Sequence, residues 1–383
     1  MRGFKQEKRI TVIVGAGALY DINGSSIDSL TKAVEKADEV SEKILESLGE
    51  HATFEHLFHA LEVLASFSAD FDVSKDPMTY VLKSRFEDID QCQIQRAILS
   101  LIDTICQSIN GYCVDFENKK DLEYSWYKMF WGSLGKERSD IITLNYDDTI
   151  ETSLEHYCDG FYNNRRRGSQ IFNELKFMKS QDKCKLLHLH GCYEYGLQKI
   201  HRGQIEDASL SCAKYKDYNS ARSNYFGNGG IQTQSGVYCV TAPIITGLNK
   251  LEKIQCQPYA AYYSELERAL FSNSKLLVVG YSFGDYYINN LIARARKVNS
   301  KMHMVVVDKI PEIEELNSAH CIIRNGSYAM ERLMSHGLIS NIAQIFPGEE
   351  WHFGEGCLKS KMVTLYVKGF EDFARAHYQG FGF

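Results

Sequence analysis

The segment that most constrains the fold is a short apolar run that ends in two glycines. Ile10–Val14 is five consecutive β-branched residues, and Gly15-Ala16-Gly17 follows directly. Such a run predicts a buried strand of a parallel sheet that enters a tight turn. A turn of this kind lets backbone N–H groups approach a pyrophosphate, with the N-terminus of the next helix facing the anion. A strand-to-helix corner without a ligand can carry the same glycines, so the motif alone leaves phosphate binding open.

Four later segments repeat this pattern of an apolar run followed by small or polar residues. Open α/β sheets bind their ligands at the carboxyl ends of parallel strands, so these ends are candidate site positions. The sequence therefore predicts an α/β fold in which a Rossmann-like parallel sheet is flanked by helices. The runs and the residues after them are 140–144 with Asn145, Tyr146, Asp147 and Asp148; 184–189 with His190 and Gly191; 275–279 with Gly280 to Asp285; and 302–307 with Asp308.

The spacing of apolar residues between the first two strands is helical and predicts an insertion in the sheet. We expect this insertion to cover the ligand or to form an oligomer surface. Apolar residues at the end of the chain predict a segment that packs on the domain or on a neighbouring subunit. The predicted units are one domain over residues 1–383, a helical insertion at 50–135, a polar surface excursion at 196–236 and a C-terminal extension at 311–383.

Charge and cysteine content narrow the class of protein. The formal net charge of −6 gives no general attraction to nucleic acid or to acidic membranes. No apolar run approaches the ~20 residues that span a bilayer, and the charged start is unlike a signal peptide. The 11 cysteines include no Cys-x-x-Cys pair, which argues against a zinc ribbon or a disulfide framework. We therefore expect a cytoplasmic protein with no metal site and no membrane partner.

A nicotinamide-dependent dehydrogenase is disfavoured by the residues after the first turn. Tyr20 stands where the dinucleotide-binding fingerprint has its third glycine. The acidic candidates for the ribose, Glu35, Asp38 and Glu39, fall inside a helix predicted over Ile27–Leu48 rather than at the end of a second strand.

Several strand-end side chains also have a purely structural interpretation. Asp148 could form an Asx turn, and Asp308 could form a turn instead of binding ribose hydroxyls. His188 and His190 lie on the same face of their strand, so one of them could be a buried, hydrogen-bonded histidine. His190, at the strand end, is the better candidate for chemistry.

Two further clusters suggest other activities only weakly. Arg165–Arg167 could contact a phosphate or a nucleic acid backbone, but such runs are more often solvated loops. His56 and His59 are three residues apart on a predicted helix and could share a metal ion, although packing is the more frequent role.

Four motifs stand in a fixed order at the predicted strand ends: Gly15-Ala16-Gly17, Thr143-Leu144-Asn145-Tyr146-Asp147, His190-Gly191 and Gly280-Tyr281-Ser282-Phe283-Gly284-Asp285. Their order and placement resemble the sirtuin-like NAD-binding family, from about residue 10 to about residue 310. Ile245-Thr246-Gly247 and Gln257-Pro258-Tyr259 look like the bacterial anti-phage defence branch, whose members destroy NAD⁺. One group of that branch, of about this length, works with a HerA-type hexameric ATPase, and the resemblance implies a homo-oligomer and such a partner here.

The departures from the family narrow the implied activity. Cys192 and Cys212 stand without the Cys-x-x-Cys partners of the zinc ribbon that protein-deacetylating sirtuins carry. The Pro-Asp-Phe-Arg run of the deacetylases is replaced by Ile27-Asp28-Ser29-Leu30-Thr31. The resemblance thus implies an NAD-cleaving core without the platform for an acylated peptide.

The resemblance also implies a role for each motif, with NAD⁺ as the substrate. Asn145 would position water or the ribose, Asp147 the nicotinamide carboxamide, and His190 would act as a base. The product would be ADP-ribose with nicotinamide, because water would be the acceptor. Two alternatives stay open: a non-catalytic sensor that binds NAD⁺ or ADP-ribose, and a DNA-cleaving effector. The residues implied to hold the phosphates and the adenosine ribose are Gly15, Ala16, Gly17, Gly280, Ser282 and Asp308.

Overall fold

The architecture is described from a computed structural model. It describes residues 9–70, 91–163, 169–197, 212–226, 231–232, 238–239, 243–246, 254, 257–310, 336–347, 349, 351–354 and 357–377.

The strands in chain order are β1 (Ile10–Val14), β2 (Ser139–Thr143), β3 (Phe161–Asn163), β4 (Ser169–Phe172), β5 (Cys184–His188), β6 (Tyr195–Leu197), β7 (Cys212–Tyr215), β8 (Ile231–Gln232), β9 (Tyr238–Cys239), β10 (Lys275–Val279), β11 (His303–Val307), β12 (His352–Gly354), β13 (Cys357–Lys359) and β14 (Val363–Tyr366).

The helices are α1 (Ile27–Glu35), α2 (Glu39–Leu48), α3 (Phe54–Asp70), α4 (Gln91–Lys119), α5 (Ser125–Lys136), α6 (Glu174–Lys179), α7 (Tyr218–Phe226), α8 (Tyr259–Ser272), α9 (Tyr286–Val298), α10 (Gly337–Ile345) and α11 (Phe370–His377). Two 3₁₀ helices lie at Ala16–Ile22 and Glu151–Ser153.

The main sheet has eight strands in the order β12-β13-β14-β11-β10-β1-β2-β5. The six strands from β14 to β5 pair in parallel, and β12 and β13 add an antiparallel edge. The chain runs outward from β1 through β2 to β5, then returns to the other side of β1 with β10 and β11. The strand order therefore reverses between β1 and β10, where open α/β sheets form a ligand crevice. This sheet confirms the predicted fold class.

Both faces of the sheet are covered, which explains why its central strands are continuously apolar rather than alternating. All five residues of β1 are buried. Its alternate side chains enter different layers: Val12 and Val14 pack with α5, α11 and the first 3₁₀ helix, whereas Ile13 packs with α1 to α4 and α8 to α10.

The described parts of the predicted insertion at 50–135 are largely helical, whereas the helix predicted before it differs from the expectation. The helix predicted over Ile27–Leu48 is two helices, because Asp38 caps α2 by accepting a hydrogen bond from the backbone N–H of Ser41 at 2.9 Å. Asp38, one of the acidic residues considered for ribose binding, is therefore a helix cap.

Helix α4 of the insertion is long and largely apolar. By length and hydropathy its segment Cys92–Lys119 could cross a bilayer, although no such run was expected from the sequence. In the fold, Ile98, Ile102 and Ile105 are fully buried in the protein interior. Core helices of folded domains satisfy the same criterion.

A second sheet, β3-β4-β7-β6, is four-stranded and antiparallel and was not predicted. It includes residues from the stretch 196–236, which the sequence analysis interpreted as a surface excursion. Its strands have three or four residues each, too short to show a clear alternation. Residues 198–211 of that stretch lie outside the described chain.

The C-terminal part of the chain returns to the main sheet through β12 to β14. Helix α11 then docks on the domain through Phe370, and the tail beyond residue 377 lies outside the described chain. The ring of Phe370 lies within 6 Å of four aromatic rings of α5, those of Trp126 at 5.4 Å, Tyr127 at 5.8 Å, Phe130 at 5.0 Å and Trp131 at 5.7 Å.

Candidate functional site

The register of the main sheet places the predicted site residues along one edge. Val14, at the end of β1, pairs with Thr143 on one side and Val279 on the other. Thr143 in turn pairs with His188 at the end of β5. Because these strands are parallel, the turns that follow them emerge side by side.

The two glycine turns at the switch point touch each other. The backbone N–H of Gly17 donates to the carbonyl of Gly280 at 2.8 Å. Gly280 has a φ of +59°, and a Cβ there would lie 2.0 Å from the backbone nitrogen of Ala18. The glycines are therefore required by this contact as well as by any ligand, and we call the contact the glycine junction. Ala16 and Gly17 are exposed and start the 3₁₀ helix; the first α-helix begins only at Ile27.

The Asn145 side chain lies against the first glycine turn. Its amide Nδ2 donates to the carbonyl of Gly15 at 3.1 Å, and its backbone N–H donates to Thr143 Oγ1 at the same distance. The side chain is buried, with 7% of the residue exposed. One amide hydrogen is thus used to fix the group beside the switch point.

The backbone of His190 is held by a segment from before β10. The N–H of Ile245 donates to the carbonyl of His190 at 2.7 Å. Gly191 has a φ of +86°, and a Cβ there would lie 2.2 Å from the carbonyl oxygen of Pro243. The His-Gly motif therefore needs its glycine for this packing, which fixes the position of the neighbouring imidazole.

The His190 ring faces a carboxylate that the sequence analysis did not select. Its Nε2 lies 3.5 Å from Asp285 Oδ2, and both side chains are largely buried. Asp285 ends the Gly280–Asp285 motif that follows β10, whereas His190 follows β5. The position of Asp285 just before a predicted helix was visible in the sequence. Its pairing with His190 could not be predicted, because the two residues are far apart along the chain.

Asp147 is buried in a turn. Its Oδ1 accepts hydrogen bonds from the backbone N–H of Thr149 at 3.0 Å and from the Thr149 hydroxyl. Burial raises the pKa of the Asp147 carboxyl. The Thr149 hydroxyl also lies 2.9 Å from the Tyr127 hydroxyl. The Asx turn considered for Asp148 is thus formed by Asp147. Its assignment to the nicotinamide carboxamide stays a prediction.

The other predicted ligand-binding residues lie on the β10 and β11 side of the edge. Ser282 is exposed, and its carbonyl accepts a hydrogen bond from Asn341 at 3.2 Å. The carboxylate of Asp308 accepts a hydrogen bond from the backbone N–H of Lys309 at 2.8 Å, a turn-type contact. Burial raises the pKa of Asp308.

A buried group of charged side chains lies next to the site, and we call it the Lys214 network. Lys214 Nζ donates to Glu151 Oε2 at 2.7 Å and to Asp159 Oδ2 at 2.9 Å, and His188 Nε2 lies 2.8 Å from Glu151 Oε1. Burial alone would raise the pKa of Glu151, but Lys214 and His188 outweigh it and lower that pKa to about 2. The network joins β7 of the small sheet to β5 of the main sheet.

Two more carboxyls near this network have raised pKa values. Burial, together with the charges of Asp148 and Glu151, raises the pKa of Glu194 to about 8. Burial and the Glu151 charge raise the pKa of Asp148 to about 6. Both carboxyls therefore keep their protons to a higher pH than exposed carboxyls do.

The remaining candidate clusters add no further chemistry. Within the described ranges, no group of three or more His, Cys, Asp or Glu side chains is arranged to hold a metal ion. His56 accepts a hydrogen bond from the backbone N–H of Thr53 at 3.2 Å, at the start of α3. Cys192 and Cys212 are buried. Arg165–Arg167 lies outside the described residues.

A cavity of about 390 Å³ lies away from these strand ends. It is lined by residues that precede β5, such as Asp182 and Lys183, and by Lys136 and Glu155. The last two side chains are more than two-thirds exposed and 4.0 Å apart, so the cavity is an open surface depression at the opposite edge of the sheet.

Comparison with known proteins finds a family model that matches the central part of the chain. Residues 139–324 match the family model of the SIR2-like domain, a range that includes Asn145, His190 and Gly280 but not the first glycine turn. No curated protein sequence matches the chain significantly.

Among solved structures, a Sir2 homologue in complex with NAD is similar over 80% of this chain and 80% of its own, at 11% identity and a TM-score of 0.37. A Sir2 homologue variant in complex with ADP-ribose is similar over 89% of this chain and 93% of its own, at 9% identity and a TM-score of 0.36.

Proposed function

We propose that this protein is an NAD⁺ hydrolase that cleaves the bond between nicotinamide and ribose. One observation carries the proposal: Asn145 and His190 emerge from neighbouring strand ends beside the glycine junction. Asn145 Nδ2 is hydrogen-bonded to the first glycine turn itself, at 3.1 Å. The SIR2-like match over residues 139–324 supports NAD⁺ as the substrate.

The exposed groups at this edge fit a dinucleotide. Ala16, Gly17 and Ser282 are exposed at the switch point, where they would contact the phosphates together with Gly15 and Gly280. Asp308, one strand further along, would bind the adenosine ribose. The nicotinamide end would then extend toward Asn145 and His190.

Cleavage of this bond requires the protein mainly to position the substrate and the attacking water. Cleavage of the nicotinamide–ribose bond passes through an oxocarbenium-like state, as glycoside hydrolysis does. Nicotinamide leaves as a neutral molecule, so no general acid is needed. Asn145 would orient the ribose or the attacking water, Asp147 would hold the carboxamide, and His190 would accept a proton from a ribose hydroxyl or from water.

Water is the proposed acceptor, giving ADP-ribose and nicotinamide. The chain between β5 and β10 contributes β6 and β7 to the small sheet, which the Lys214 network joins to the main sheet. Two of its cysteines, Cys192 and Cys212, are buried, and Cys212 Sγ lies 3.7 Å from the Tyr259 hydroxyl. The proposal includes no protein substrate, because the sequence lacks the Cys-x-x-Cys pairs of the zinc ribbon that protein-deacetylating sirtuins carry.

The biological role follows from the family resemblance. We propose that NAD⁺ depletion serves anti-phage defence in the bacterial cytoplasm, with the chain acting as a homo-oligomer alongside a HerA-type ATPase. An enzyme of this kind needs restraint between infections, and a partner or a change of assembly would supply it.

The test is nicotinamide release by the purified chain, alone and with the ATPase. Asn145→Ala and His190→Ala should each lower turnover by at least about 100-fold with unfolding curves close to that of the parent protein. His156→Ala is the matched control, because this histidine is exposed and lines the depression near the start of β5.

Each result separates the candidate functions. Unchanged NAD⁺ loss in either variant would overturn the site assignment. Saturable NAD⁺ or ADP-ribose binding without nicotinamide release would instead identify a sensor subunit. DNA cleavage that persists in Asn145→Ala would favour the nuclease alternative.

A further inference from the structure

We infer that Asp285 is a positioning residue for His190. The inference deepens the proposed function and rests on it for the identity of the reaction. Asp285 Oδ2 lies 3.5 Å from His190 Nε2, with 13% of the Asp285 side chain and 7% of the His190 side chain exposed. The two residues come from opposite halves of the sheet, so the pair spans the switch point.

The two carboxylate oxygens of Asp285 have different partners. Oδ1 caps helix α9 by accepting hydrogen bonds from the backbone N–H groups of Tyr287 at 3.0 Å and Ile288 at 3.2 Å. Oδ2 is directed to His190. The cap fixes the orientation of the carboxylate, so its second oxygen faces the imidazole without a further entropic cost.

The loop that carries Asp285 is itself well anchored. The hydroxyl of Tyr281 accepts a hydrogen bond from the backbone N–H of Asp285 at 3.1 Å and lies 2.9 Å from Asn289 Oδ1. The Asn289 amide donates to the carbonyl of Phe283 at 2.7 Å. Phe283 adopts a φ of +58°, unusual for a residue with a side chain. These contacts hold the aspartate in one place.

Among the described residues, three phenols lie near the pair. The Tyr146 ring is 6.5 Å from the His190 ring, and Tyr263 and Tyr281 lie close to Asp285. Burial raises the pKa of all three phenols, so they stay neutral at physiological pH. Asp285 thus places a carboxylate 3.5 Å from the imidazole, and a second carboxylate, that of Glu55, acts on the Tyr146 phenol.

The chemical consequence concerns the proton that His190 accepts. When an O–H bond of the ribose or water breaks, the proton moves to the imidazole and leaves the oxygen with the electron pair. A carboxylate at one ring nitrogen stabilises the resulting imidazolium and orients the ring. Asp285 makes no contact with the reacting atoms in this scheme.

The experiment compares Asp285→Asn with Asp38→Asn. Asparagine caps helices about as well as aspartate, so both variants should keep their helices. Only Asp285→Asn removes the negative charge beside His190. We expect Asp285→Asn to lower kcat at least about tenfold with little change in KM. The acidic limb of its pH–rate profile should move to lower pH by about one unit. Asp38→Asn should match the parent protein in both.

A second readout does not depend on turnover. NMR titration of the His190 imidazole should give a midpoint about one pH unit lower in Asp285→Asn than in the parent protein. An unchanged midpoint, or a kcat loss without any shift of the acidic limb, would overturn the positioning role. If the parent protein releases no nicotinamide, the proposed function fails, and the titration still decides whether Asp285 acts on His190.

Discussion

Two neighbouring regions hold the same edge of the sheet by opposite physical means. At the glycine junction, the turns after β1 and β10 fit because Gly280 has no side chain. In the Lys214 network, the small sheet is attached to β5 through buried charges that satisfy one another. The first region tolerates no added atom, and the second tolerates no lost charge. The comparison shows that the site is positioned by shape on one side and by electrostatics on the other.

An added methyl group at the glycine junction tests the shape requirement most directly. In Gly280→Ala the new Cβ would lie 2.0 Å from the Ala18 nitrogen in a left-handed backbone conformation. We expect a loss of about 4–6 kcal/mol in the free energy of unfolding, from overpacking and backbone strain together. Urea denaturation of the parent and variant proteins measures it.

Gly284→Ala is the matched control for this prediction. Within the described part of the chain, a Cβ at Gly284 would meet the Ser282 hydroxyl alone, at 3.7 Å. The free energy of unfolding should change by no more than about 0.5 kcal/mol. Equal effects of the two substitutions would show that the junction is not a tight contact.

The next effect in size comes from removing the charge at the centre of the network. Lys214→Met leaves Glu151 and Asp159 buried without their cation and should cost about 3–4 kcal/mol. Lys216→Met, at a side chain that is 77% exposed, should be nearly neutral. Urea unfolding curves of the two variants give the comparison.

A double-mutant cycle sharpens this result. Lys214→Met combined with Glu151→Gln should cost less than the sum of the single substitutions by about 1 kcal/mol or more, because the neutral pair removes one unpaired charge. Strict additivity would show that Lys214 and Glu151 do not stabilise each other.

The last prediction is a dependence of stability on pH that arises from Glu194 on the network side. Glu194 has a pKa of about 8 in the folded protein, raised by burial from an ordinary value of 4.5. The folded state therefore holds this proton more tightly than the unfolded state. Stability from the neutral carboxyl is complete below pH 4.5 and is lost as pH rises through 8.

Glu194→Gln should remove that dependence. Relative to the variant, the parent protein should lose up to about 4 kcal/mol of stability between pH 5 and pH 8.5. Thermal or urea unfolding at several pH values measures the difference. A constant difference across that range would mean that Glu194 titrates as an ordinary surface carboxyl.

The sequence was sufficient for the parallel strands β1, β2, β5, β10 and β11 and for their ends, because these depend on local patterns. It did not predict β12 to β14, which are only three or four residues long. Five β-branched residues before Gly15 predict a buried strand, and parallel pairing brings Asn145 and His190 to the same edge. Of His188 and His190, one was predicted to be buried and hydrogen-bonded, and His188 has this role. The one-helix prediction over Ile27–Leu48 was wrong because the Asp38 cap interrupts an otherwise continuous apolar stripe.

The features that were missed depend on contacts between distant segments. Glu151, Asp159, His188 and Lys214 meet from four separate elements, and no spacing rule relates them. The Asp285–His190 pair likewise joins loops from the two halves of the sheet. Strands as short as β3 and β6 show no clear alternation, so the small sheet was interpreted as irregular.

The position of β1 in the sheet has a consequence for how the protein is made. Ile10 of β1 pairs with Lys275 of β10. Most of the chain must therefore be translated after β1 before this neighbouring strand exists. Such long-range pairing forms late and slowly. A nascent chain on the ribosome therefore lacks the paired turns of the proposed NAD⁺ site. The capacity to consume the cell's NAD⁺ would arise only once β10 has been translated and has inserted beside β1.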